Sequence, residues 1–374
     1  MKKLTIWVLL SFLWLSTASA DEEEAPAPQN LEELEAAITS VLEEHHVPAV
    51  GVALVDRNGP VWMDAMGMAN LENAVPADQD TLFRIGSTSK MFVALAVLKL
   101  VEEGRLSLDD KLRDLAPDLE FKNRWKETDP IRVVHLLEHT TGWDDIHLPE
   151  YAHNDPEAVS LEEGLAYHPH SRESRWVPGS RMSYCNSGPA VAAYVVEQVT
   201  GQEFEDYVKQ NFFEPLGMES MTYRLSADVA ARGATLYSGE SDAQNYWHIL
   251  MRPSGSINAS AVDMAKMVGL LVNRGRANGR QLLSEASITR METPTSTPAA
   301  RAGQKLGYGL NNYTTSHEHW VLHAHNGGVN GGLTELAYVP EAGLGYAFMI
   351  NSDNGAAFGE ISDLFQAYIS RGLE

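Results

Sequence analysis

The sequence has very little cysteine and few positive charges. Cys185 is the only cysteine among 374 residues, so no disulfide can form within the chain and a packed core has to stabilise the fold. The 28 lysines and arginines are outnumbered by 51 aspartates and glutamates, which gives a formal net charge of −23. An excess of negative charge argues against DNA, RNA and anionic membrane surfaces as partners. We therefore expect no nucleic-acid partner.

Long apolar runs are absent after the N-terminus, where a membrane-spanning helix would need about 18 such residues. The N-terminus itself has two lysines, an apolar stretch over 4–15 and the small residues Ala18-Ser19-Ala20. This pattern is typical of a secretory signal peptide. We expect residues 1–20 to be removed, residues 21–30 to form a flexible acidic leader, and the mature protein to be exported to the periplasm or secreted, without stable membrane insertion. The oligomeric state stays open.

Strand patterns lie at both ends of the chain. Near the N-terminus, Asn58-Gly59 separates two apolar runs, a combination typical of a β-hairpin. Near the C-terminus we predict a final amphipathic helix over 356–369, preceded by strands in LGYGLNN (306–312), HWVLHAH (319–325), LTELAYVP (333–340) and LGYAFMIN (344–351).

The middle of the chain alternates short helical patterns with long loops, and no repeat or Gly/Ser-rich linker divides it. We therefore predict an α/β (α+β) fold with one antiparallel sheet formed from both chain ends, flanked by helices, and an inserted, mostly helical subdomain. The predicted domain covers 31–374. Its sheet part comprises 31–86 and 300–374, and its helical part comprises 87–299.

The stretch FRIGSTSKMF (83–92) places a serine three residues before a lysine, at the start of an apolar helix. If the helix begins at Ser87, then Ser87 and Lys90 share one face. A serine nucleophile needs a base, and Lys90 has to be neutral to act as one. Lowering a lysine pKa by three units from about 10.4 costs roughly 4 kcal/mol and requires burial. The alternative is structural: Ser87 caps the helix and Lys90 extends into solvent.

Two later motifs favour the catalytic interpretation. The chain contains STSK at 87–90, YCN at 184–186 and HNGG at 325–328, with the flanking phrases LLEHTTG (136–142), VPGSRMSYCNSG (177–188), EPLGM (214–218) and GSINASAVDMAKM (255–267). Together these segments resemble the serine β-lactamase and penicillin-binding-protein superfamily, in particular the class C β-lactamase-like branch of esterases and D-specific peptidases. The resemblance extends from about residue 31 to the C-terminus and implies a β-lactamase/transpeptidase-like fold.

The resemblance implies roles for four residues of the first two motifs. Ser87 forms the acyl-enzyme, Lys90 takes the serine proton, and Tyr184 passes a proton to the leaving group. Asn186 hydrogen-bonds the lysine or the substrate amide. We expect neighbouring cations to lower the pKa of the Tyr184 phenol from its usual value of about 10.

The third motif is expected to bind substrate. The resemblance implies an oxyanion hole made by the backbone N–H groups of Ser87 and Gly328, with Gly327 and Gly328 leaving room for substrate beside their strand. His325 stands where the lactamases carry lysine, and it supplies a hydrogen-bond donor without a permanent charge. We therefore expect a weaker grip on a substrate carboxylate than in those enzymes.

These roles describe an exported serine hydrolase that acts through a covalent acyl-enzyme on ester, amide or D-amino-acid peptide substrates. The partner is a small-molecule or peptide substrate, and neither a cofactor nor a metal is implied. Two alternatives stay open: a β-lactamase of class C type, and a non-catalytic penicillin-binding or sensor protein.

Other notable residues have structural interpretations. Cys185, in the middle of the second motif, is expected to be a buried packing residue. The alternating histidines of HEHWVLHAH (317–325) lack the carboxylate cluster that would favour a metal site. We expect His139 to anchor the turn that follows it, and Asp144 and Asp145 to be solvated loop residues. For the aromatic residues of the long loops, packing and lining a substrate cleft are equally open: Trp143, Tyr151 and Trp176.

Overall fold

The computed structural model describes residues 27–151, 153 and 159–371. The predicted signal peptide (1–20) and residues 21–26 of the predicted leader lie outside the described residues. The α-helices of the described part are Leu31–Glu44 (α1), Lys90–Glu102 (α2), Leu112–Leu115 (α3), Val133–Leu137 (α4), Leu148–Tyr151 (α5), Leu161–Ala166 (α6), Ser187–Thr200 (α7), Phe204–Val208 (α8), Glu214–Leu216 (α9), Ala227–Arg232 (α10), Ala261–Val272 (α11), Glu285–Glu292 (α12), Pro298–Arg301 (α13) and Gly355–Arg371 (α14).

The strands are Ala49–Asp56 (β1), Gly59–Asn70 (β2), Val75–Pro76 (β3), Phe83–Arg84 (β4), Leu236–Ser238 (β5), Asp242–Gln244 (β6), Asn258–Ala259 (β7), Arg276–Ala277 (β8), Arg280–Gln281 (β9), Tyr313–His317 (β10), Trp320–Val329 (β11), Gly332–Val339 (β12) and Leu344–Ile350 (β13). Across residues 27–151, 153 and 159–371, every helix is too short or too polar to cross a bilayer.

A seven-stranded sheet in the order β10-β11-β12-β13-β1-β2-β3 forms the centre of the fold. Each of its ladders is antiparallel. The two chain ends meet where β1 pairs with β13, with Val52 opposite Phe348. At the β1–β2 hairpin, the Asn58 backbone N–H donates to the Asp56 carboxylate over 2.6 Å. This confirms the predicted antiparallel sheet assembled from both ends of the chain.

Strand β1 is buried along nearly its whole length because helices cover both faces of the sheet. Val52 and Leu54 lie in a core with α1 and α14, whereas Ala53 and Val55 lie in the larger core that contains α2, α7 and α11. Successive side chains of a strand point to opposite faces. Double coverage therefore explains why the sequence AVGVALV (49–55) is an unbroken apolar run rather than an alternating one.

Helix α2 runs through the larger core, and its residues Lys90 to Leu98 are all buried. Ten of its side chains lack contact with bulk water because neighbouring elements, including α7, surround it. The almost wholly apolar sequence after the first motif fits this burial. One consequence is that the Lys90 side chain, at the first turn of α2, starts from an environment with little water.

One predicted strand is wrong. The stretch 306–312 contains no strand, and β10 begins only at Tyr313. Asn311 has a positive φ of 47°, a conformation that breaks a strand. Its side chain donates to the Lys90 carbonyl over 2.9 Å, so this segment turns towards α2 instead of extending the sheet.

The predicted division into a sheet part and a helical part (87–299) stays a prediction. Helix α11 belongs by sequence to the predicted helical part, yet it packs against β1 and β13 of the sheet. The larger core continues from the sheet into α2 and α7 without interruption. The motif residues lie where this core meets the edge of β11.

Candidate active site

Ser87 lies in a short 3-10 turn, Gly86–Ser89, directly before α2. The α-helix therefore begins three residues later than the sequence suggested, although Ser87 and Lys90 still lie on one side. Gly86 has a φ of 51°, and a Cβ there would lie 2.6 Å from the Gly328 nitrogen. Only glycine satisfies both constraints. The backbone of the serine turn can therefore pack directly against the backbone of β11 at Gly328.

The Lys90 amine is enclosed by three oxygens. Its Nζ lies 2.8 Å from Ser87 Oγ, 2.7 Å from Asn186 Oδ1 and 2.5 Å from the Ser254 carbonyl oxygen. The residue is completely buried. This excludes the alternative in which Lys90 extends into solvent.

The contacts with Ser254 and Asn186 determine where the Lys90 amine can accept a proton. The Ser254 carbonyl and the Asn186 amide oxygen are acceptors only, so each requires an N–H from Lys90. A neutral amine has two N–H groups and one lone pair. When those N–H groups face Asn186 and Ser254, the lone pair faces Ser87 Oγ, which is the geometry for removing the hydroxyl proton.

Burial lowers the pKa of Lys90 from its ordinary value to about 7, and the negative charge of Asp145 opposes this effect. At neutral pH a large fraction of the amine is therefore uncharged. A surface lysine is neutral in only about one molecule in several thousand at pH 7.

Asp145 fixes the orientation of Asn186. Its carboxylate accepts from the Asn186 backbone N–H over 2.7 Å and from the side-chain Nδ2 over 3.0 Å. A carboxylate accepts but does not donate, so the Asn186 amide has to turn its NH₂ to Asp145 and its oxygen to Lys90. The expectation that Asp145 is merely a solvated loop residue is wrong. Asp144, in contrast, is exposed and pairs with Arg175.

Tyr184 interacts with the Ser87 hydroxyl, and Nζ of Lys90 lies 5.1 Å from the centre of its ring. Burial raises the pKa of the phenol, the hydrogen bond to Ser87 lowers it, and Asp145 raises it further. The net shift is upward, so the expectation that cations lower this pKa is wrong. Tyr184 is a neutral phenol at neutral pH, able to donate its proton but not to act as a resident tyrosinate.

His325 is buried, and both of its ring nitrogens contact other groups of the protein. Nδ1 lies 2.5 Å from the Asn326 carbonyl and Nε2 lies 2.5 Å from the Tyr308 hydroxyl. Because a carbonyl can only accept, Nδ1 carries the hydrogen and Nε2 accepts from Tyr308. Burial lowers the pKa of His325 to about 3, with a further contribution from Lys90. The ring is neutral and offers no free donor to a substrate carboxylate.

His139 packs against the ring of Tyr184. Its ring stacks on the tyrosine with 4.3 Å between centroids and meets Tyr308 edge-on at 4.7 Å. Its Nδ1 accepts from the Cys185 backbone N–H over 3.3 Å, and its own carbonyl accepts from Ser183 over 2.8 Å. His139 thus attaches the YCN segment to the turn after α4. Cys185 itself is fully buried, and burial raises the pKa of its thiol to about 11.

Gly327 and Gly328 differ in how closely they approach the serine turn. A Cβ on Gly327 would lie 2.0 Å from the Ile85 carbonyl oxygen and 2.9 Å from the Ser87 nitrogen. A Cβ on Gly328 would meet nothing nearer than a Leu333 methyl at 3.4 Å. Pairing between β10 and β11 ends at Ala324, so the edge of β11 that contains the glycines faces the turn of Ser87.

The structure therefore brings Ser87, Lys90, Tyr184 and Asn186 into contact. Gly327 and Gly328 lie beside them, and His325 packs against the ring of Tyr184.

Sequence reasoning missed three contributors to this arrangement. Ser254 lies in the stretch before the GSINAS phrase, Tyr308 lies in a segment predicted as a strand, and Asp145 lies in a loop. Of the loop aromatics, Trp143 is fully buried, whereas the Tyr151 hydroxyl contacts the Gly328 carbonyl at 3.4 Å.

Comparison with known proteins identifies the family of this chain. The family described as Beta-lactamase matches residues 34–369. Penicillin-binding protein 4 of Amycolatopsis lactamdurans is 27% identical over 344 residues, which is 86% of this chain and 85% of that protein. The unguisins hydrolase of Aspergillus campestris is 26% identical over 358 residues, covering 90% of this chain but only 64% of that protein. A β-lactamase of Yersinia enterocolitica is 23% identical over 231 residues, 62% of this chain and 56% of that protein.

Solved structures give the same result. The octameric penicillin-binding protein homologue from Pyrococcus abyssi has a TM-score of 0.78 and 26% identity, and the match covers 92% of this chain and 77% of that one. SurE has a TM-score of 0.72 and 23% identity, over 90% of this chain and 75% of its own, and is similar in fold. Since the family match extends over most of the described residues and the folds agree, this chain belongs to the β-lactamase family, whose members include penicillin-binding proteins and serine hydrolases.

Proposed function

We propose that this protein is a serine hydrolase that acylates Ser87, with ester, amide or D-amino-acid peptide substrates. The observation that carries the proposal is the environment of Lys90: a buried amine whose two N–H groups face acceptor-only oxygens and whose remaining position faces Ser87 Oγ at 2.8 Å. A structural lysine in a cap would have no reason to be desolvated in this way, because burying an amine is costly.

In the proposed reaction, neutral Lys90 takes the Ser87 proton while Oγ attacks the carbonyl carbon of the substrate. The oxygen of the tetrahedral intermediate accepts from the backbone N–H groups of Ser87 and Gly328; one such donor typically contributes about a hundredfold in rate. Tyr184, a neutral phenol, donates its proton to the leaving alcohol or amine and regains one from Lys90. The bond to the leaving group breaks, and the acyl group stays on Oγ.

Water then releases the acyl group by the reverse sequence. The neutral Lys90 amine takes a proton from the water, directly or through the Tyr184 hydroxyl, which passes its own proton on as it receives one. The water oxygen attacks the ester carbonyl, and the same proton returns to Ser87 Oγ as the bond from Oγ to the acyl group breaks. His325 and Tyr308 act as positioning residues in this scheme, because they hydrogen-bond each other and both of their rings pack against the ring of Tyr184.

Substrates without a required carboxylate fit this site best. The neutral His325 supplies no positive charge where an anionic β-lactam would need one, and its Nε2 already accepts from Tyr308. Ester and amide hydrolysis needs only the nucleophile, the relay and the oxyanion donors. The unguisins hydrolase among the relatives supports a substrate range wider than β-lactams.

A class C-type β-lactamase is the second candidate, favoured by the family and by the Yersinia enterocolitica relative. A non-catalytic penicillin-binding or sensor protein is the third, favoured by the relative named penicillin-binding protein 4. An exported, periplasmic location remains part of the proposal, based on the N-terminal sequence pattern.

Intact-mass measurement after incubation with a fluorescent penicillin and with a fluorophosphonate tests the proposal, with Ser87→Ala as the control. We expect a fluorophosphonate adduct on wild type and none on Ser87→Ala, together with turnover of nitrophenyl esters or D-amino-acid amides. Rapid cephalosporin turnover would identify a β-lactamase, and a stable penicillin adduct without turnover would identify a binding protein. Equal labelling of wild type and Ser87→Ala would refute acylation of Ser87.

A further inference from the structure

Three histidines from two loops form a cluster. His147 precedes α5, and His168 and His170 flank Pro169 in the segment after α6. Ring centroids lie 4.8 Å apart for His147 and His168, 5.6 Å for His147 and His170, and 5.1 Å for His168 and His170. One ring nitrogen of each residue lies within 4.8 Å of those of the other two. This is the one such group of three among the residues that the structure describes.

A buried carboxylate lies beneath this cluster. The Glu150 side chain has no exposed area, and its Oε2 lies 3.3 Å from His147 Nδ1 and 3.4 Å from His168 Nδ1. The same oxygen accepts from the His147 backbone N–H over 2.7 Å. Glu150 Oε1 and His168 Nδ1 have no hydrogen-bond partner within the described chain. Unpaired buried polar atoms of this kind are costly and call for an explanation.

We propose that His147, His168 and His170 bind a divalent transition-metal ion, with Zn²⁺ as the best match, and that Glu150 positions two of the rings. Metal-binding histidines usually donate their second ring nitrogen to a carboxylate, which fixes the tautomer and the ring orientation. Glu150 Oε2 already makes this contact with His147 Nδ1, and a small rotation of the His168 ring would bring its unpaired Nδ1, now 3.4 Å away, into a hydrogen bond with the same oxygen. Their Nε2 atoms then face away from the carboxylate and serve as ligands.

The chemistry of the ligands selects the ion. Neutral imidazoles suit Zn²⁺, Cu²⁺ and Ni²⁺, whereas Mg²⁺ and Ca²⁺ require oxygen ligands. Nitrogens bonded to tetrahedral Zn²⁺ at 2.0–2.1 Å are about 3.4 Å apart, so the cluster has to contract on binding. His147 and His170 are exposed and His168 is half-buried, which leaves the rings free to rotate. His170 also lines an open groove of about 1110 Å³, through which an ion can reach the site from solvent.

The site is connected to the catalytic groups through short stretches of chain. His147 follows Asp145, which orients Asn186, by two residues. At the other end of α5, the Tyr151 hydroxyl contacts the Gly328 carbonyl. A bound ion would tie the loop that contains His147 to the segment 168–170, and so would restrain one wall of the substrate cleft. The proposal does not depend on the catalytic scheme, since it rests on the histidines and Glu150 alone.

The direct test is titration of tag-free, EDTA-treated full chain with Zn²⁺, followed by calorimetry and by metal content after dialysis. We expect one Zn²⁺ per chain with a dissociation constant in the micromolar range or below, and a visible absorption band when Co²⁺ is used instead. His170→Ala, an exposed substitution that leaves the core intact, should weaken binding at least tenfold. Glu150→Gln should weaken it about 10- to 100-fold, as is typical for loss of the carboxylate behind a ligand.

Two matched controls separate this site from other causes of binding. His319→Ala removes an exposed histidine at the β10–β11 turn and should leave Zn²⁺ affinity unchanged. Ser87→Ala should also bind Zn²⁺ as wild type does, even if the hydrolase proposal fails. The proposal would be overturned if wild type did not bind Zn²⁺ stoichiometrically. It would also be overturned if His147→Ala, His168→Ala and His170→Ala all bound Zn²⁺ with the affinity of wild type.

Discussion

The side-chain oxygen of Asn186 lies 2.7 Å from Nζ of Lys90. The other half of the same amide is held by the Asp145 carboxylate, so the amide cannot reverse without placing two acceptors against each other. This one hydrogen bond fixes which side of the amine carries an N–H. Together with the Ser254 carbonyl, it directs the lone pair of a neutral Lys90 to Ser87.

The first prediction concerns the pH dependence of Ser87 acylation. Because burial lowers the pKa of Lys90 to about 7 and the base has to be neutral, the rate should rise about tenfold per pH unit below that value and level off above about pH 8. The measurement is the rate of labelling by a fluorophosphonate between pH 5 and 10, with Ser87→Ala as background. A rate that keeps rising to pH 10 would mean that Lys90 is an ordinary ammonium.

The second prediction concerns Asp145. The negative charge of Asp145 raises the pKa of Lys90, so Asp145→Asn should move the midpoint of the pH–rate profile to lower pH. Loss of the charged hydrogen bonds to Asn186, worth about 1.5–3 kcal/mol each, should also reduce kcat/KM about tenfold or more. Asp144→Asn is the control, because Asp144 is exposed, forms an ion pair with Arg175, and accepts from the Asp145 backbone N–H through an oxygen that asparagine keeps. If both variants gave the same profile, Asp145 would have no part in orienting the site.

The third prediction compares two neighbouring glycines. A Cβ on Gly327 would lie 2.0 Å from the Ile85 carbonyl oxygen, so Gly327→Ala should force the serine turn away from β11 and lower both the thermal midpoint and acylation. A Cβ on Gly328 would lie at a normal van der Waals distance, 3.4 Å, from its nearest neighbour. Gly328→Ala should therefore fold normally and mainly raise KM by obstructing substrate. The measurements are thermal denaturation and ester kinetics. Wild-type acylation in Gly327→Ala would contradict the close contact between these backbones.

The fourth prediction concerns His325. Its two ring nitrogens contact Asn326 and Tyr308. His325→Ala should therefore release Tyr308 and reduce kcat, and it should affect substrates with and without a carboxylate equally. The ratio of kcat/KM for a carboxylate-bearing amide to that for the matching uncharged amide should stay within about twofold of wild type. Tyr308→Phe should behave in the same way. A selective loss of more than about tenfold for the carboxylate-bearing substrate would show that His325 binds it directly.

Some of this architecture was readable from local patterns. The start of α1 follows a local pattern: an Asn with a Glu three residues later satisfies free N–H groups at a helix start, and Asn30 Oδ1 accepts from the Glu33 backbone N–H. The β1–β2 hairpin and the late strands β11, β12 and β13 were predicted because their residues alternate or cluster between turn residues. The stretch 306–312 failed because its aromatic and apolar residues resemble a strand, while its contacts with α2 are distant in sequence.

The sequence by itself determined which chemical groups are available: a serine and a lysine three residues apart, a tyrosine, an asparagine and paired glycines, in three ordered motifs. Only the tertiary structure decided their states. Burial by distant segments makes the Lys90 amine titrate near neutrality and keeps Tyr184 protonated, and Tyr308 occupies the free nitrogen of His325. Desolvation and hydrogen-bond partnership depend on which atoms come together in space, and residue order does not state this.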